Sequence, residues 1–288
     1  MSPQKLFKLH SGDNVPLLGF GTYLVDGYEK TRDVLDRALT TGYRLFDTAK
    51  MYQNETDIGR ALQVLLPKHN LSRKDVFITT KLYPSDHGER AYGAIEESLK
   101  KLDCEYIDLY LIHWPGVFGH SSSSKVPKLR AESWKHMVKA VDDGLVKNIG
   151  VSNYTVRHLN QLIDNSYGII PAVNQIEWHP YYHPSDVLEF CKQKNILLQA
   201  YMPLGSGNQG LLNDATISNI AKKLGKTNAQ VILKWSIQQG VSVIPKAASK
   251  SHIQDNFQLD FSIPDDDMTV LSNLKKYVKF DWDPETVP

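Results

Sequence analysis

The pattern that most narrows the possible folds is an alternation running through nearly the whole chain. Strand-like apolar runs fall at 17–21, 44–46, 76–80, 107–112, 146–151, 172–176, 196–199 and 241–244. Helical patterns follow them near 29–41, 55–65, 89–101, 131–143, 156–163, 185–194, 217–224 and 252–257. Strands that alternate with helices predict a parallel sheet with helical crossovers. Eight such units in 288 residues predict a (β/α)8 TIM barrel rather than an open sheet, since that fold occupies about 250 residues. One domain, 1–288, is expected.

Segments outside the alternation are legible too. Residues 5–9 and 15–18 flank the turn-rich His-Ser-Gly-Asp-Asn at 10–14, which predicts an N-terminal β-hairpin. Two extra helices are predicted, an amphipathic one at 228–239 with Ala229, Val231, Ile232 and Trp235 on its apolar face, and one at 265–276. Residues 115–128, with serines at 121–124, read as a flexible loop, and 280–288 as an irregular tail.

Bulk properties exclude several function classes. With 33 basic and 32 acidic residues the net charge is +1, which suggests neither a nucleic-acid partner nor an acidic tail. Cys104 and Cys191 are isolated, the pattern of a reduced interior without disulfides or structural zinc. No signal-peptide core and no apolar run of membrane-spanning length is present, so a cytoplasmic protein without a membrane partner is expected.

Chemistry gathers at strand ends, where a barrel of this kind carries its active site. The run at 44–46 stops at Asp47, with Tyr52 and Asn54 following in the loop before a helix. Lys81 follows the run at 76–80, and His113 follows that at 107–112. Singly these residues have ordinary readings: Asp47 and Asn54 as helix caps, Lys81 as a solvated charge, His113 as a strand-end side chain. Together they form an acid–base constellation. A tyrosine could deliver a proton, an adjacent ammonium would favour its phenolate and lower its pKa, a carboxylate could fix the ammonium, and an imidazole could orient a carbonyl.

The stretch Gly-Tyr-Arg-Leu-Phe-Asp-Thr-Ala from Gly42, with Tyr52, Asn54, Glu55 and Gly59 at these offsets, resembles the signature of the aldo-keto reductases. The resemblance implies Tyr52, Asp47, Lys81 and His113 as catalytic residues of an NADP(H)-dependent aldehyde or ketone reductase, of the aldehyde reductase (alcohol dehydrogenase) class. It implies further that the hairpin plugs the barrel bottom and that the tail leans over the mouth. Ser152, Asn153 and Gln175 would hold the nicotinamide carboxamide and Tyr201 would stack on its ring. Thr22, Tyr23 and Asp47 would add cofactor contacts, with Leu204 and Ser206 at the pyrophosphate and Lys246, Ser249, His252, Asp255 and Asn256 at the adenosine 2′-phosphate. Tyr23, Tyr52, Tyr83, His113 and Trp114 would line the substrate mouth. Tyrosine at 23 and 83, where the family often has tryptophan, implies a roomier, more polar pocket for small or polar carbonyls such as dicarbonyls or sugar aldehydes. A monomer is expected.

Departures from the family pattern bear on the cofactor. His252 stands where an arginine normally grips phosphate and adenine, Ala247 replaces a usual serine, and Met202 another. A permanent, bidentate charge becomes an imidazole that is largely neutral at pH 7, so NADP(H) is the expected cofactor with NAD(H) also admitted. Gly205-Ser-Gly-Asn-Gln-Gly210 matches the dinucleotide fingerprint G-x-G-x-x-G, yet no Asp or Glu occurs from 215 to 254 to meet a ribose, so it reads as a pliable loop. His179 and His183 share a metal-like spacing, but Pro180 and Pro184 forbid the helix that would align them, and no metal is expected. Two alternatives stay open: a catalytically silent cofactor-binding barrel with a regulatory or structural role, and a metal-dependent barrel hydrolase.

Overall fold

The computed structural model describes residues 5–119, 124–274 and 276–288. An antiparallel hairpin, β1 (Leu6–Lys8) and β2 (Asn14–Pro16), precedes the first barrel strand, β3 (Phe20–Gly21). There follow α1 (Tyr28–Thr41), β4 (Leu45–Asp47), α2 (Glu55–Lys68), β5 (Phe77–Leu82), α3 (Ala91–Leu102), β6 (Ile107–Ile112), α4 (Val126–Asp142), β7 (Val146–Ser152) and α5 (Val156–Ile163). The second half holds β8 (Val173–Glu177), α6 (Ser185–Gln193), β9 (Leu197–Tyr201), α7 (Gln209–Leu212), α8 (Ala215–Leu224), α9 (Asn228–Gln238), β10 (Ser242–Val243), α10 (Lys250–Phe257) and α11 (Asp265–Ser272).

The eight strands β3 to β10 pair in chain order, all in parallel. Leu18 bridges Val243, and the Gly19 N–H donates to Val243 O at 2.8 Å, so the last strand meets the first and the sheet closes as the expected barrel. The seam is tight: a Cβ on Gly21 would lie 2.8 Å from Ile244 O, an approach only glycine allows. Every residue of β5 and β6 is buried, as strands covered on both faces must be.

The hairpin closes the end opposite the site. Leu9, Val15 and Leu17 join the core, while Ser11 donates to Asn148 Oδ1 at 2.6 Å and Asn148 Nδ2 donates to Asp13 Oδ2 at 2.9 Å, near the start of β7. Three helices, α7, α8 and α9, stand between β9 and β10, and α11 follows the last repeat; of the predicted extra helices α9 packs directly on β10, while α8 packs on α9 and α11. Instead of one apolar face, α9 is buried continuously from Gln230 to Ile237, because α8, β10 and α10 all pack on it. Trp235 stacks on Trp178 at 5.8 Å, a core position as expected.

Boundaries differ from the expected ones in three instructive places. Lys81 lies inside β5, not after it. Helix α4 starts at Val126, inside the segment expected to be a loop, because Pro127 fits the first turn of a helix; serines 121–123 lie outside the described residues. Helix α11 stops at Ser272, four residues before the expected end.

Candidate active site

At the C-terminal mouth of the barrel lies a cleft of about 600 Å³. Alternation along the strands decides which side chains face it. Asp47, the last residue of β4, is buried and points inward; the parallel pairing sets Thr79 of β5 opposite it, and Lys81, two residues on and fully buried, reaches it from the same face of the sheet. The Lys81 ammonium has three protons and three acceptors: Asp47 Oδ1 at 2.6 Å, Thr48 O at 2.8 Å and Tyr52 Oη at 3.2 Å. Burial draws Lys81 down and Asp47 up from their usual values, and each charge opposes the shift of the other. With every donor of Nζ satisfied, the ion pair is the state that this geometry holds.

Tyr52 stands on a single 3-10 turn, Lys50–Tyr52, and Gln53 after it takes left-handed backbone at φ 56°. Its hydroxyl oxygen accepts from Lys81, which leaves the phenolic proton free to donate. The expected lowering of the phenol pKa is not what this site imposes. Burial, and after it the Asp47 charge, push Tyr52 well above the ordinary value, because the carboxylate offsets the ammonium. The phenol therefore keeps its proton at neutral pH. His113 lies edge-on to Tyr52 with ring centres 5.8 Å apart, held neutral by burial and by the Lys81 charge, and its Nδ1 has no protein hydrogen bond. Tyr23 packs against the other side of Tyr52 at 5.0 Å.

The neighbouring strands supply amides and hydroxyls. Gln175 on β8 donates to Asp47 Oδ2 at 2.7 Å and to Gln199 Oε1 at 2.8 Å, and Gln199 on β9 donates to Ser242 Oγ at 3.1 Å. Ser152 ends β7, its hydroxyl on Gln175 O at 2.8 Å. Asn153 adopts left-handed backbone at φ 63°, which asparagine tolerates, and donates to His113 O at 3.1 Å. The Tyr201 hydroxyl donates to Asn153 Oδ1 at 2.7 Å. Thr22 is buried behind them, donating to Asp47 O at 2.8 Å.

The family profile described as "Aldo/keto reductase family" matches residues 17–276. This chain belongs to the aldo/keto reductase family. It is 38% identical over 280 residues to a 9,11-endoperoxide prostaglandin H2 reductase of Trypanosoma cruzi, covering 96% of this chain and 94% of the relative. It is 36% identical over 288 residues to the methylglyoxal reductase DkgA of Escherichia coli K12, covering 99% and 98%. Among solved structures, an aldo-keto reductase complexed with NADPH superposes with a TM-score of 0.89 at 30% identity, covering 97% of this chain and 90% of the other. An aldo/keto reductase from Brucella melitensis gives 0.85 at 37% identity, covering 95% and 100%.

As in an aldo/keto reductase, the cleft continues away from Tyr52. It is lined along this arm by Leu204, Ser206 and Gly207, then by Lys246, His252 and Asn256. The glycine loop follows β9, not the first strand of a dinucleotide fold, and Gly205, Ser206 and Gly207 all have positive φ. Ser249 caps α10, accepting from the His252 N–H at 3.2 Å, and the Asp255 carbonyl accepts from Gln230 at 3.0 Å; neither lines the cleft. Tyr83 and Trp114 are half-buried and also stand outside its lining. Asn54 is no side-chain cap: it donates to Thr22 O at 3.0 Å and Val25 O at 3.1 Å and accepts from Thr48 at 2.6 Å, tying two mouth loops together. His179 meets Glu177 at 3.0 Å while His183 reaches Ser272 O at 3.0 Å, so the two rings serve separate partners.

Sequence reasoning missed three contributors, Gln199, Ser242 and Asp281. Gln199 and Ser242 extend the amide row; the only signal was a polar residue inside an apolar run. Asp281 reaches the cleft from the tail, whose Trp282 meets Trp114 edge-on at 6.0 Å. Met202 lines the cleft at φ 45°, unusual for this residue type. Among the described residues no helix is long and apolar enough to cross a membrane, and no three His, Cys, Asp or Glu side chains group as a metal site.

Proposed function

We propose that this protein reduces aldehydes or ketones to alcohols with NADPH, Tyr52 delivering the proton to the developing alkoxide. The observation that carries this reading is the Tyr52 hydroxyl, held by the Lys81 ammonium at 3.2 Å and opening into the same cleft as His113. Burial keeps the phenol protonated until a substrate oxygen gains negative charge. The ammonium then stabilises the phenolate that remains, in a setting with little water to screen it. Neutral His113 gives its N–H to the carbonyl oxygen and orients it.

The donor set fits a phosphorylated dinucleotide. Amide and hydroxyl groups at Ser152, Asn153 and Gln175 match a carboxamide, and the Tyr201 ring is beside them for stacking. The cation Lys246, with His252, Asn256 and the start of α10, matches a phosphate. When bound, NADPH supplies the hydride. NADH is the second cofactor that the missing arginine at 252 would admit. We place Tyr23, Tyr52 and His113 at the substrate, with Tyr83 and Trp114 as the outer wall, in a single-domain cytoplasmic monomer that acts on small-molecule carbonyls.

A carbonyl panel that includes methylglyoxal, assayed with NADPH and with NADH separately, tests the proposal. Oxidation of NADPH by several aldehydes is expected. Cofactor binding without oxidation by any carbonyl would instead favour a silent barrel.

A further inference from the structure

The tail brings a carboxylate to the reacting end of the cleft. Glu177, buried at the end of β8, grips the tail at three points: Lys279 Nζ donates to it at 2.8 Å, the Phe280 N–H at 2.6 Å and the Asp281 N–H at 3.0 Å. Burial works against that carboxylate, yet His179, Lys279 and Phe280 hold its pKa down at about 2, so the grip persists at every ordinary pH. Asp281 is thereby fixed against the cleft wall, with Oδ1 further tied by the Trp282 N–H at 2.8 Å.

The nearby cations are committed elsewhere. Lys279 pairs with Glu177, and Lys81 with Asp47. The Asp281 charge accordingly reaches the hydroxyls that face it, helping to push Tyr201 and Tyr52 upward, after burial in both cases. Lys246 and His252 belong to the far arm. The reacting end thus carries one acid balanced by Lys81 and one, Asp281, with no ion pair to a cation among the described residues.

We propose that Asp281 is a specificity-determining residue, selecting neutral, hydroxyl-bearing carbonyl substrates over those carrying a carboxylate. A hydroxyl next to the carbonyl can donate to the Asp281 carboxylate, whereas an anionic substituent meets like charge in a half-enclosed space. The inference rests on the carbonyl-reductase reading and narrows it.

The test uses the whole chain with NADPH and three aldehydes: glyceraldehyde, butanal and succinic semialdehyde. The quantity read is the ratio of kcat/KM for each aldehyde to that for butanal, within one enzyme. Asp281→Asn keeps an oxygen for the Trp282 N–H. It is expected to raise the succinic semialdehyde ratio about tenfold and to lower the glyceraldehyde ratio several-fold, mostly through KM. Added salt should shrink the wild-type discrimination against the anion. Asp283→Asn removes a charge from the same tail outside the cleft and should leave both ratios where they are. Ratios unmoved by Asp281→Asn, or moved equally by Asp283→Asn, would overturn the role of Asp281 while leaving carbonyl reduction intact. A wild type that oxidises NADPH with none of the three would overturn the reductase reading itself, and the selectivity with it.

Discussion

Gln175 holds Asp47 from the side opposite Lys81: its amide donates to Oδ2 at 2.7 Å while the ammonium takes Oδ1 at 2.6 Å. One buried carboxylate thus fixes two groups of different chemistry, the ammonium that serves Tyr52 and the amide expected at the nicotinamide.

This arrangement predicts unequal costs for two substitutions. Lys81→Met strands a buried carboxylate and should lower stability by about 3–5 kcal/mol. It should also depress turnover and alter the basic limb of the pH–rate profile. Gln175→Leu removes a neutral donor and should cost about 1–3 kcal/mol, with weaker NADPH binding as its clearest effect. Denaturant unfolding and cofactor titration measure both. Equal stability losses would show that the ammonium and the amide are interchangeable supports.

Acid should destabilise the fold before its carboxylates titrate. Burial lowers His87 to about 4, against hydrogen bonding to Trp114 O, and lowers His158 to about 4, against bonding to Val287 O. A folded-state pKa below the unfolded value means that the unfolded chain takes up the proton first. The contribution is therefore complete above about pH 6.5 and is lost as pH falls towards 4. Each histidine accounts for at most about 3 kcal/mol across that window. Unfolding free energies at pH 7, 6 and 5 should fall steadily, and His87→Gln should flatten the slope by up to one proton. An unchanged slope would mean that His87 is protonated in the folded protein.

The site was legible where chemistry interrupts an apolar run. Asp47 and His113 end such runs, and Tyr52 keeps a fixed offset from Asp47. Lys81 was readable as a residue but misplaced after its strand, since an ammonium inside an apolar strand is credible only once Asp47, Thr48 O and Tyr52 surround it. Asn54 shows the converse: its residue type suits a cap, but the loops it ties meet only in three dimensions. Asp281 left no local signal, because Glu177, about a hundred residues earlier, decides where the tail lies. Four-residue α7 is too short to show periodicity at all.

On the proposed reading, His252 governs the choice between NADPH and NADH. It lines the far arm of the cleft near the start of α10. Arginine there would offer a permanent charge and two parallel hydrogen bonds to a 2′-phosphate. His252→Arg should tighten NADPH about tenfold or more and leave NADH nearly unaffected. Fluorescence titration of the wild type and the variant with each cofactor measures this, and NADPH affinity unchanged by His252→Arg would mean that His252 does not face the phosphate.

The central claim is that the Tyr52 phenol delivers the proton. Tyr52→Phe keeps the ring between Tyr23 and His113 and removes only the hydroxyl. The decisive measurement is the steady-state oxidation of NADPH by an aldehyde that the wild type reduces, alongside NADPH affinity of the same variant. The account predicts a fall in turnover of about 10²–10⁴-fold with affinity within a few-fold of wild type. Turnover retained within a few-fold would contradict it.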